Sequence, residues 1–574
     1  MNQDKDNESI QTVFGQFDEN KCVVWSNIQL QHKSKNAQAH CIKPPTKIIP
    51  VIFLPGIMGS NLKSKKNKKS IWRMRDGYGG LALDALGWVL TGAKRRKELL
   101  NPETTVTDFD QEVRNNDAES NYFPSRQQRG WGSALQFSYI DSLEGLQQSL
   151  LSWELTWEAL KSHGKLDPTF IEDSFSQTIF GSIINQQLSS SDDKPLTQNE
   201  TERFQSLLFP LHVFGYNWLQ DNATSAQALS EYIDKVIKMY DFELNGGKGH
   251  GLAFEDGKEK VILVTHSMGG LVSRYASECL DAACKDKILG IVHGVMPDLG
   301  SATTYKMMKI GEQTAMGWVI GGSAKRLMSV LAQSPAPMQL LPSAKYNHGR
   351  PWLKIEKGSQ DGKTDIFLPQ NGDPFNEIYL RSDVWWRMYE PDILDSDSKI
   401  SENNYKKYRK VITYTVSPFI KKMDGQYHSN TYLFYGAHFD KDTPKDPRRS
   451  DETLTWKSQN KNSWLWVSGD SRQTEEYGDK REYSLLQSNN YWDSTQSLQE
   501  EGGAGDGTVP IVSINLQHPY KEILKTNVGH QAAYQFAPWQ GDDVYGIKNE
   551  ISPAIKFTLR SLCRIVQSKE INIG

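Results

Sequence analysis

The chain has 574 residues, and its 66 basic and 69 acidic side chains leave a formal net charge of -3. This length suits one large domain with insertions or several small domains, and the near-neutral charge excludes a global attraction to nucleic acid. The five cysteines have no regular spacing, which excludes a disulfide framework and a zinc site.

The start of the chain has no secretory signal pattern. Residues 1–10 are polar and acidic, and no run of the sequence reaches the ~18 apolar residues of a membrane span. We therefore expect synthesis in the cytoplasm without a signal peptide or transmembrane segment. Residues 1–45 show little periodicity and end at Pro44-Pro45, which predicts a peripheral or poorly ordered leader before a single domain over 46–574.

Short apolar runs rich in β-branched residues predict buried strands. They are Lys47–Leu54, Leu208–Phe214, Val261–Thr265, Ile288–His293 and Tyr432–Tyr435. Apolar residues at helical spacing predict a helix from Ala226 to Tyr240, a second from Leu271 to Ala283, and a third that begins at Ser552-Pro553. Strand, helix and strand in alternation indicate an α/β fold with a mostly parallel sheet flanked by helices.

Long insertions interrupt this pattern at about 63–207, 300–411 and 441–502. The second insertion carries many methionines and other apolar residues between Met307 and Leu341, with a glycine pair at Gly321-Gly322. Such a flexible apolar stretch is typical of a lid over an acyl-binding site, and equally of a helical cap over a core.

The stretch from Val261 to Gly269 predicts a nucleophile elbow. An apolar strand leads into Ser267, which has small residues after it and then a helix. Gly269 permits the close packing of helix and strand that this turn requires. Thr265 departs from the usual pattern, because glycine normally stands at that position. Without the downstream partners, the simpler interpretation would be a serine that caps an ordinary helix after a strand.

A serine nucleophile needs a base and an acid that orients the base, in the chain order serine, acid, histidine. Asp506, in the small-residue loop Gly505–Pro510, and His530, beside Gly529, are the candidates that we favour. Asp440 and His518 are the alternatives; both are more simply explained as surface polar groups.

Two backbone N–H groups are needed to stabilise the negative charge of a tetrahedral intermediate. Met268, directly after the nucleophile, is the predicted first donor. Ile57, in the glycine loop Pro55–Ser60 after the first strand, is the predicted second donor.

Three blocks resemble lipases related to lecithin–cholesterol acyltransferase and GPI-inositol deacylase: residues 50–62, 265–270 and 505–510. The segment Gly215–Trp218 is similar to that family's Tyr-Asp-Trp segment, with Asn217 in place of aspartate. The resemblance implies an α/β-hydrolase fold and a serine lipase or phospholipase that cleaves carboxylic esters of membrane lipids without metal or cofactor. The alternatives are a lipid acyltransferase and a non-catalytic lipid-binding or envelope-interaction protein on the same scaffold.

Residues 293–297 and 529–534 are similar to bacterial lipases deployed as type VI secretion effectors. That resemblance implies a lipid substrate at the membrane of a target cell envelope. It also implies an immunity protein that blocks the site, and a secretion spike protein that carries the enzyme out of the cell. The basic runs 63–69 and 94–97 suit attraction to anionic lipid surfaces, and equally suit solvated loops.

Overall fold

The computed structural model describes residues 10–20, 22–26, 28, 38–74, 87–88, 90–114, 116, 119, 122–151, 179–188, 194–241, 250–311, 323–355, 365–384, 386–391, 398–437, 454–459, 472–477, 480–486, 492–498, 505–536 and 551–571. In chain order the strands are β1 (Ile10–Phe14), β2 (Gln16–Phe17), β3 (Val23–Val24), β4 (Gln38–Ile42), β5 (Lys47–Ile48), β6 (Val51–Leu54), β7 (Leu62–Ser64), β8 (Ser70–Trp72), β9 (Thr105–Thr107), β10 (Leu207–Leu208), β11 (Leu211–Val213), β12 (Gly251–Leu252), β13 (Val261–His266), β14 (Ile288–Gly294), β15 (Leu353–Ile355), β16 (Ile366–Leu368), β17 (Thr431–Gly436), β18 (Leu454–Gln459), β19 (Arg472–Tyr477), β20 (Lys480–Leu486), β21 (Trp492–Leu498) and β22 (Glu522–Thr526). The α-helices are α1 (Ala93–Leu99), α2 (Gln136–Leu150), α3 (Ile179–Ile183), α4 (Gln198–Gln205), α5 (Asn222–Met239), α6 (Gly269–Cys279), α7 (Ala282–Asp286), α8 (Thr303–Ile310), α9 (Ala324–Leu331), α10 (Pro335–Met338), α11 (Ser398–Val411), α12 (Ser417–Met423) and α13 (Pro553–Ile565).

A central parallel sheet organises the described part of the chain. Its strand order is β11-β6-β13-β14-β17-β22, and every neighbouring pair is parallel. All five predicted strand runs contribute to this sheet, so the predicted α/β fold with a mostly parallel sheet is confirmed. Strands β6, β13 and β14 are buried along their whole length, as expected for a parallel sheet covered on both faces.

Two of the predicted runs are each divided into two short strands by a proline. Lys47–Leu54 becomes β5 and β6 on either side of Pro50, and Leu208–Phe214 contributes to β10 and β11 on either side of Pro210. Proline has no N–H for the ladder, so the pairing changes at this level of both strands. The first half of each run pairs in a separate three-stranded sheet, in the order β10-β5-β12.

The helices α5, α6 and α13 cover the sheet where the apolar periodicity predicts them. Asp221 caps α5 by accepting a hydrogen bond from the Ala223 N–H, and Ser552 caps α13 in the same way through Ala554. The second predicted helix ends earlier than expected: α6 stops at Cys279, and α7 follows after a break. No described helix is long and apolar enough to cross a bilayer.

The second insertion forms a cap with a hydrophobic core of its own. Buried residues from α8, α9, α10 and the segments after them pack into a cluster separate from the sheet core, with Trp352 and Tyr379 among its largest members. At the start of the cap, the segment before α8 pairs with the segment after α10: the Ser301 N–H donates to Leu340 O (2.7 Å), and the Ser343 N–H donates to Leu299 O (2.8 Å).

The second and third insertions also share a sheet. Strands β15 and β16 from the second insertion join β18–β21 from the third in the order β16-β15-β18-β21-β20-β19. In the leader, β1 pairs with β4 in parallel. The expected strand at Trp464–Val467 lies outside the described residues.

Candidate active site

Ser267 lies on a sharp turn between β13 and α6. Its φ of 52° is in the left-handed region, which a non-glycine residue adopts only when the surrounding structure imposes it. The Ser267 N–H donates to Gly294 O (2.9 Å), and α6 begins two residues later. A Cβ on Gly269 would lie 2.7 Å from the carbonyl oxygens of Leu54 and Pro55, which explains why glycine is needed there. This is the geometry of a nucleophile elbow.

The hydroxyl of Ser267, the imidazole of His530 and the carboxylate of Asp506 form a continuous hydrogen-bonded chain. Nε2 of His530 is 2.8 Å from Oγ of Ser267, and Nδ1 is 2.8 Å from Oδ2 of Asp506. The carboxylate can only accept, so Nδ1 carries the proton and Nε2 is free to accept the serine proton. The structure therefore brings together the three side chains that the sequence selects.

Backbone hydrogen bonds fix the orientation of the Asp506 carboxylate. Its Oδ1 accepts from the N–H groups of Thr508 (2.9 Å) and Val509 (2.6 Å), which leaves Oδ2 for His530. The His530 N–H in turn donates to the Asp506 carbonyl (2.9 Å). Acid and base are thus bonded to each other through both backbone and side chain.

The alternative base does not reach the nucleophile. The His518 ring stacks on Tyr427, with ring centroids 3.9 Å apart and planes 15° apart, beside the buried ion pair of Arg274 and Asp298. The alternative acid, Asp440, lies outside the described residues.

The predicted oxyanion donors lie beside the nucleophile, and their N–H groups form no hydrogen bond to any described residue. Met268 follows Ser267 at the start of α6, and Ile57 follows Gly56 in the loop after β6. A Cβ on Gly56 would lie 3.0 Å from Cβ of Ser267, so the loop backbone packs directly against the elbow. Free N–H groups at such a position can donate hydrogen bonds to a developing oxyanion.

Two residues that the sequence interpretation left unassigned also belong to the site. His266 precedes the nucleophile and is buried, with Nδ1 2.7 Å from the Tyr139 hydroxyl and Nε2 2.9 Å from the backbone oxygen of His530. Burial, with the neighbouring His530, lowers the pKa of His266 to about 3, so the ring is neutral. His266 stands inside the motif and could have been found from it. Tyr139 comes from α2 in the first insertion, where no motif marks it.

The site is closed. Only 3 % of the Ser267 surface and 4 % of the His530 surface are exposed. A cavity of about 560 Å³ lies between α6, the cap and α12; Leu271 and Arg274 contribute to its wall, whereas Ser267 and His530 do not. Among the described residues, no group of three or more His, Cys, Asp or Glu side chains could hold a metal ion.

The chain is similar to a known protein family and to solved structures. The family model described as lecithin:cholesterol acyltransferase matches residues 251–535, a segment that begins before the elbow and ends after His530. A solved chain in the Tle4–Tli4 complex is 26% identical and has a TM-score of 0.68. The match covers 91% of this chain and 99% of that one.

Staphylococcus hyicus lipase matches over 67% of this chain and 94% of its own, with 11% identity and a TM-score of 0.24, a value too low to support a shared fold. No curated protein matches the chain. The fold, the family model and the Tle4–Tli4 match together show that the chain is an α/β-hydrolase of the esterase and acyltransferase type, a lipase related to lecithin:cholesterol acyltransferase.

Proposed function

We propose that the chain hydrolyses the carboxylic esters of membrane phospholipids through an acyl-enzyme on Ser267. The observation that carries the proposal is the hydrogen-bonded chain Ser267–His530–Asp506 at the elbow, beside the free N–H groups of Met268 and Ile57. This arrangement has a nucleophile, a base, an orienting acid and an electrostatic site for the oxyanion.

In the first step the Ser267 oxygen forms a bond to the ester carbonyl carbon while its proton moves to Nε2 of His530. The carbonyl oxygen becomes negative and accepts hydrogen bonds from the Met268 and Ile57 N–H groups. The bond to the alcohol oxygen then breaks, and the proton on Nε2 transfers to that oxygen, so the lysophospholipid leaves. Asp506 stabilises the imidazolium throughout.

In the second step water attacks the acyl carbon and gives a proton to His530. The bond to the Ser267 oxygen breaks, that oxygen takes the proton back, and the fatty acid leaves. If an acceptor alcohol replaces water, the same intermediate transfers its acyl group. This is the acyltransferase alternative, which the family match keeps as a second candidate.

The decisive experiment uses mass spectrometry of defined phospholipids in vesicles after incubation with the protein. We expect lysophospholipid and free fatty acid in equal amounts, and no product with Ser267→Ala. Release of phosphatidate or diacylglycerol alone would contradict the proposal, because those products come from cleavage of phosphate esters. A long-chain alcohol added to the assay tests the second candidate, since a new acyl ester would reveal transfer.

A fluorophosphonate probe separates an enzyme from a non-catalytic lipid-binding protein. The probe should label Ser267 covalently, and the label should be absent from Ser267→Ala. A folded, unlabelled protein that still binds vesicles would favour the binding-protein alternative.

We also propose that the chain acts as an antibacterial type VI effector, with an immunity protein as partner. The resemblance of residues 293–297 and 529–534 supports this, as does the similarity to a chain solved in a two-protein complex, Tle4 with Tli4. The test is co-purification with the product of an adjacent gene, which should bind tightly and prevent fluorophosphonate labelling. A spike component should be encoded nearby, and failure of every neighbouring product to bind would count against the proposal.

A further inference from the structure

His266 and Tyr139 link the oxyanion loop to the loop of the base. Four groups follow one another at hydrogen-bond distance: the Gly56 N–H and the Tyr139 hydroxyl (2.9 Å), that hydroxyl and Nδ1 of His266 (2.7 Å), and Nε2 of His266 and the His530 carbonyl (2.9 Å). Gly56 directly precedes the predicted oxyanion donor Ile57. This series of hydrogen bonds therefore begins at the oxyanion loop and ends at the loop that holds the base.

The direction of every bond in this chain is determined by its ends. A backbone N–H can only donate and a carbonyl can only accept. The His266 ring is neutral and has one N–H, which must lie on Nε2 to meet the His530 carbonyl, so Nδ1 accepts from Tyr139. The Tyr139 oxygen then accepts from Gly56. Each group has the partner it needs, and reversal of any one bond would leave a buried group unpaired.

Packing around this chain explains two glycines of the oxyanion loop. A Cβ on Gly56 would lie 2.9 Å from Nδ1 of His266, and a Cβ on Gly59 would lie 2.9 Å from the Tyr139 hydroxyl. Both glycines leave room for the two side chains. The loop sequence is therefore matched to a tyrosine that lies about 80 residues later in the chain, outside every motif.

We propose that His266 and Tyr139 are positioning residues that hold the oxyanion loop and the base in the correct position relative to the nucleophile. This role rests on the proposed serine hydrolase function. His530 is bonded at its N–H by Asp506 and at its carbonyl by His266, so loss of the second bond frees one side of its backbone. Loss of the hydrogen bond between the Gly56 N–H and the Tyr139 hydroxyl frees the backbone at Gly56, so the adjacent Ile57 N–H is no longer held in one direction.

The test is Tyr139→Phe, which removes one oxygen atom and retains the ring. The matched control is Tyr240→Phe, because the Tyr240 hydroxyl is likewise bonded to a buried histidine, His212 (2.8 Å), on the edge strand β11. We expect Tyr139→Phe to lower the rate of Ser267 labelling by a fluorophosphonate at least about 10-fold, a fraction of the effect of losing an oxyanion donor. The control should label at the original rate, although both variants lose thermal stability.

Substitution at His266 gives a second test that does not depend on Tyr139→Phe folding well. His266→Gln keeps an amide donor for His530 and an acceptor for Tyr139, whereas His266→Leu keeps neither. We expect His266→Gln to label several-fold faster than His266→Leu. We also expect kcat for a soluble ester to differ between these two variants while KM is the same for both.

Equal labelling rates for Tyr139→Phe and Tyr240→Phe, or for the two His266 variants, would overturn the positioning role while leaving the proposed function intact. Absence of labelling in the unsubstituted protein would overturn both.

Discussion

Thr265 and His293 face each other on the neighbouring parallel strands β13 and β14, with Oγ1 of the threonine 2.8 Å from Nδ1 of the histidine. Both side chains are buried. Thr265 stands where the nucleophile motif usually has glycine, and the sequence suggests that it crowds the turn. The structure shows that its side chain instead bonds across the sheet, so the elbow keeps its sharp turn at Ser267.

Thr265→Val should therefore lower the free energy of unfolding by about 1–3 kcal/mol, because Nδ1 of His293 loses its partner in a buried site. Valine keeps the shape of threonine, so the labelling rate of Ser267 should change little. Urea unfolding of both proteins tests this. A variant as stable as the original would show that the bond contributes nothing.

Asp506→Asn should abolish most activity without disturbing the fold. The amide oxygen can still accept from Thr508 and Val509, which turns the NH2 group toward His530. Nδ1 must then accept, the proton moves to Nε2, and Nε2 can no longer take the serine proton. We expect kcat to fall about 10³- to 10⁴-fold, the size of effect known for a wrong imidazole tautomer.

His518→Phe is the control for that experiment. Phenylalanine can keep the stacking on Tyr427, and we expect less than a twofold change in kcat. If His518→Phe were as inactive as Asp506→Asn, the choice of His530 as base would be wrong.

Sequence periodicity predicts the strands that hold the site, because β6, β13 and β14 are buried on both faces and are mostly apolar. The strand β22 was not predicted. It lies at the edge of the sheet and has only two adjacent apolar residues, Ile523 and Leu524, between the charged Glu522 and Lys525, so it has no long apolar run.

Contacts between distant segments could not be predicted from one sequence. Tyr139 reaches the elbow from a helix of the first insertion, and β15 of the second insertion pairs with β18 of the third. Both contacts depend on how insertions fold back over the sheet, and neither leaves a local pattern. The triad was accessible because its members lie in short loops of small residues whose chain order is constrained.

The buried histidines predict loss of stability in mild acid. Burial lowers the pKa of His266 to about 3 and the pKa values of His212 and His293 well below their ordinary value. The unfolded chain binds these protons below about pH 6.5 while the folded chain does not, so stability is complete above that pH and falls below it. Each of these histidines should lower the free energy of unfolding by on the order of 1 kcal/mol at pH 5.5.

Urea unfolding at pH 7.5 and pH 5.5 measures this difference. His212→Gln keeps a polar partner for Tyr240 but cannot titrate, so it should reduce the difference by one histidine's share. His348→Gln, at an exposed position, should leave the difference unchanged. Equal stability at the two pH values would contradict the prediction.

The closed site predicts activation at a lipid surface. Hydroxyls of Ser301 (2.7 Å) and Thr303 (2.8 Å) both donate to the Thr508 carbonyl, so the first helix of the cap is tied to the loop of the acid. Because Ser267 is nearly inaccessible, part of the structure must move before substrate enters, and we expect the tied cap to be the part that moves. We expect detergent micelles to raise the labelling rate of Ser267 about 10-fold.

Ser301→Ala combined with Thr303→Val should raise the labelling rate without micelles, because the cap loses both ties. Ser561→Ala, which removes a hydroxyl bonded within α13, is the control and should behave like the original protein. Labelling that is equally fast with and without micelles would show that the cap does not limit access.

We expect the protein to contact an anionic membrane through the basic side chains of helix α1 and the cap helix α9. Oγ of Ser329 lies 3.2 Å from Ala93 O, so the two helices lie together; Lys94 of α1 and Lys325 of α9 are exposed, and Arg326 is partly exposed. None of these three forms an ion pair with a described residue. Leu90, 76 % exposed, lies just before α1.

The structure also shows which side chains of the two basic runs are exposed or paired. Arg96 is buried and donates to the carbonyls of Thr91 and Trp88, so the run 94–97 presents fewer charges than it contains. In the other run, Lys63 pairs with Asp108 (3.3 Å) and with Asp110, which partly neutralises it.

Lys94→Glu with Lys325→Glu should therefore weaken binding to vesicles that contain phosphatidylglycerol by at least about 10-fold, since each basic residue near such a surface contributes ~1 kcal/mol. Binding should also weaken as salt is raised, because exposed charges are screened. The matched control is Lys66→Glu with Lys68→Glu, two exposed lysines of the other run. If the control pair weakened binding as much, the α1–α9 surface would not be the docking face; binding unaffected by salt would exclude an electrostatic contact altogether.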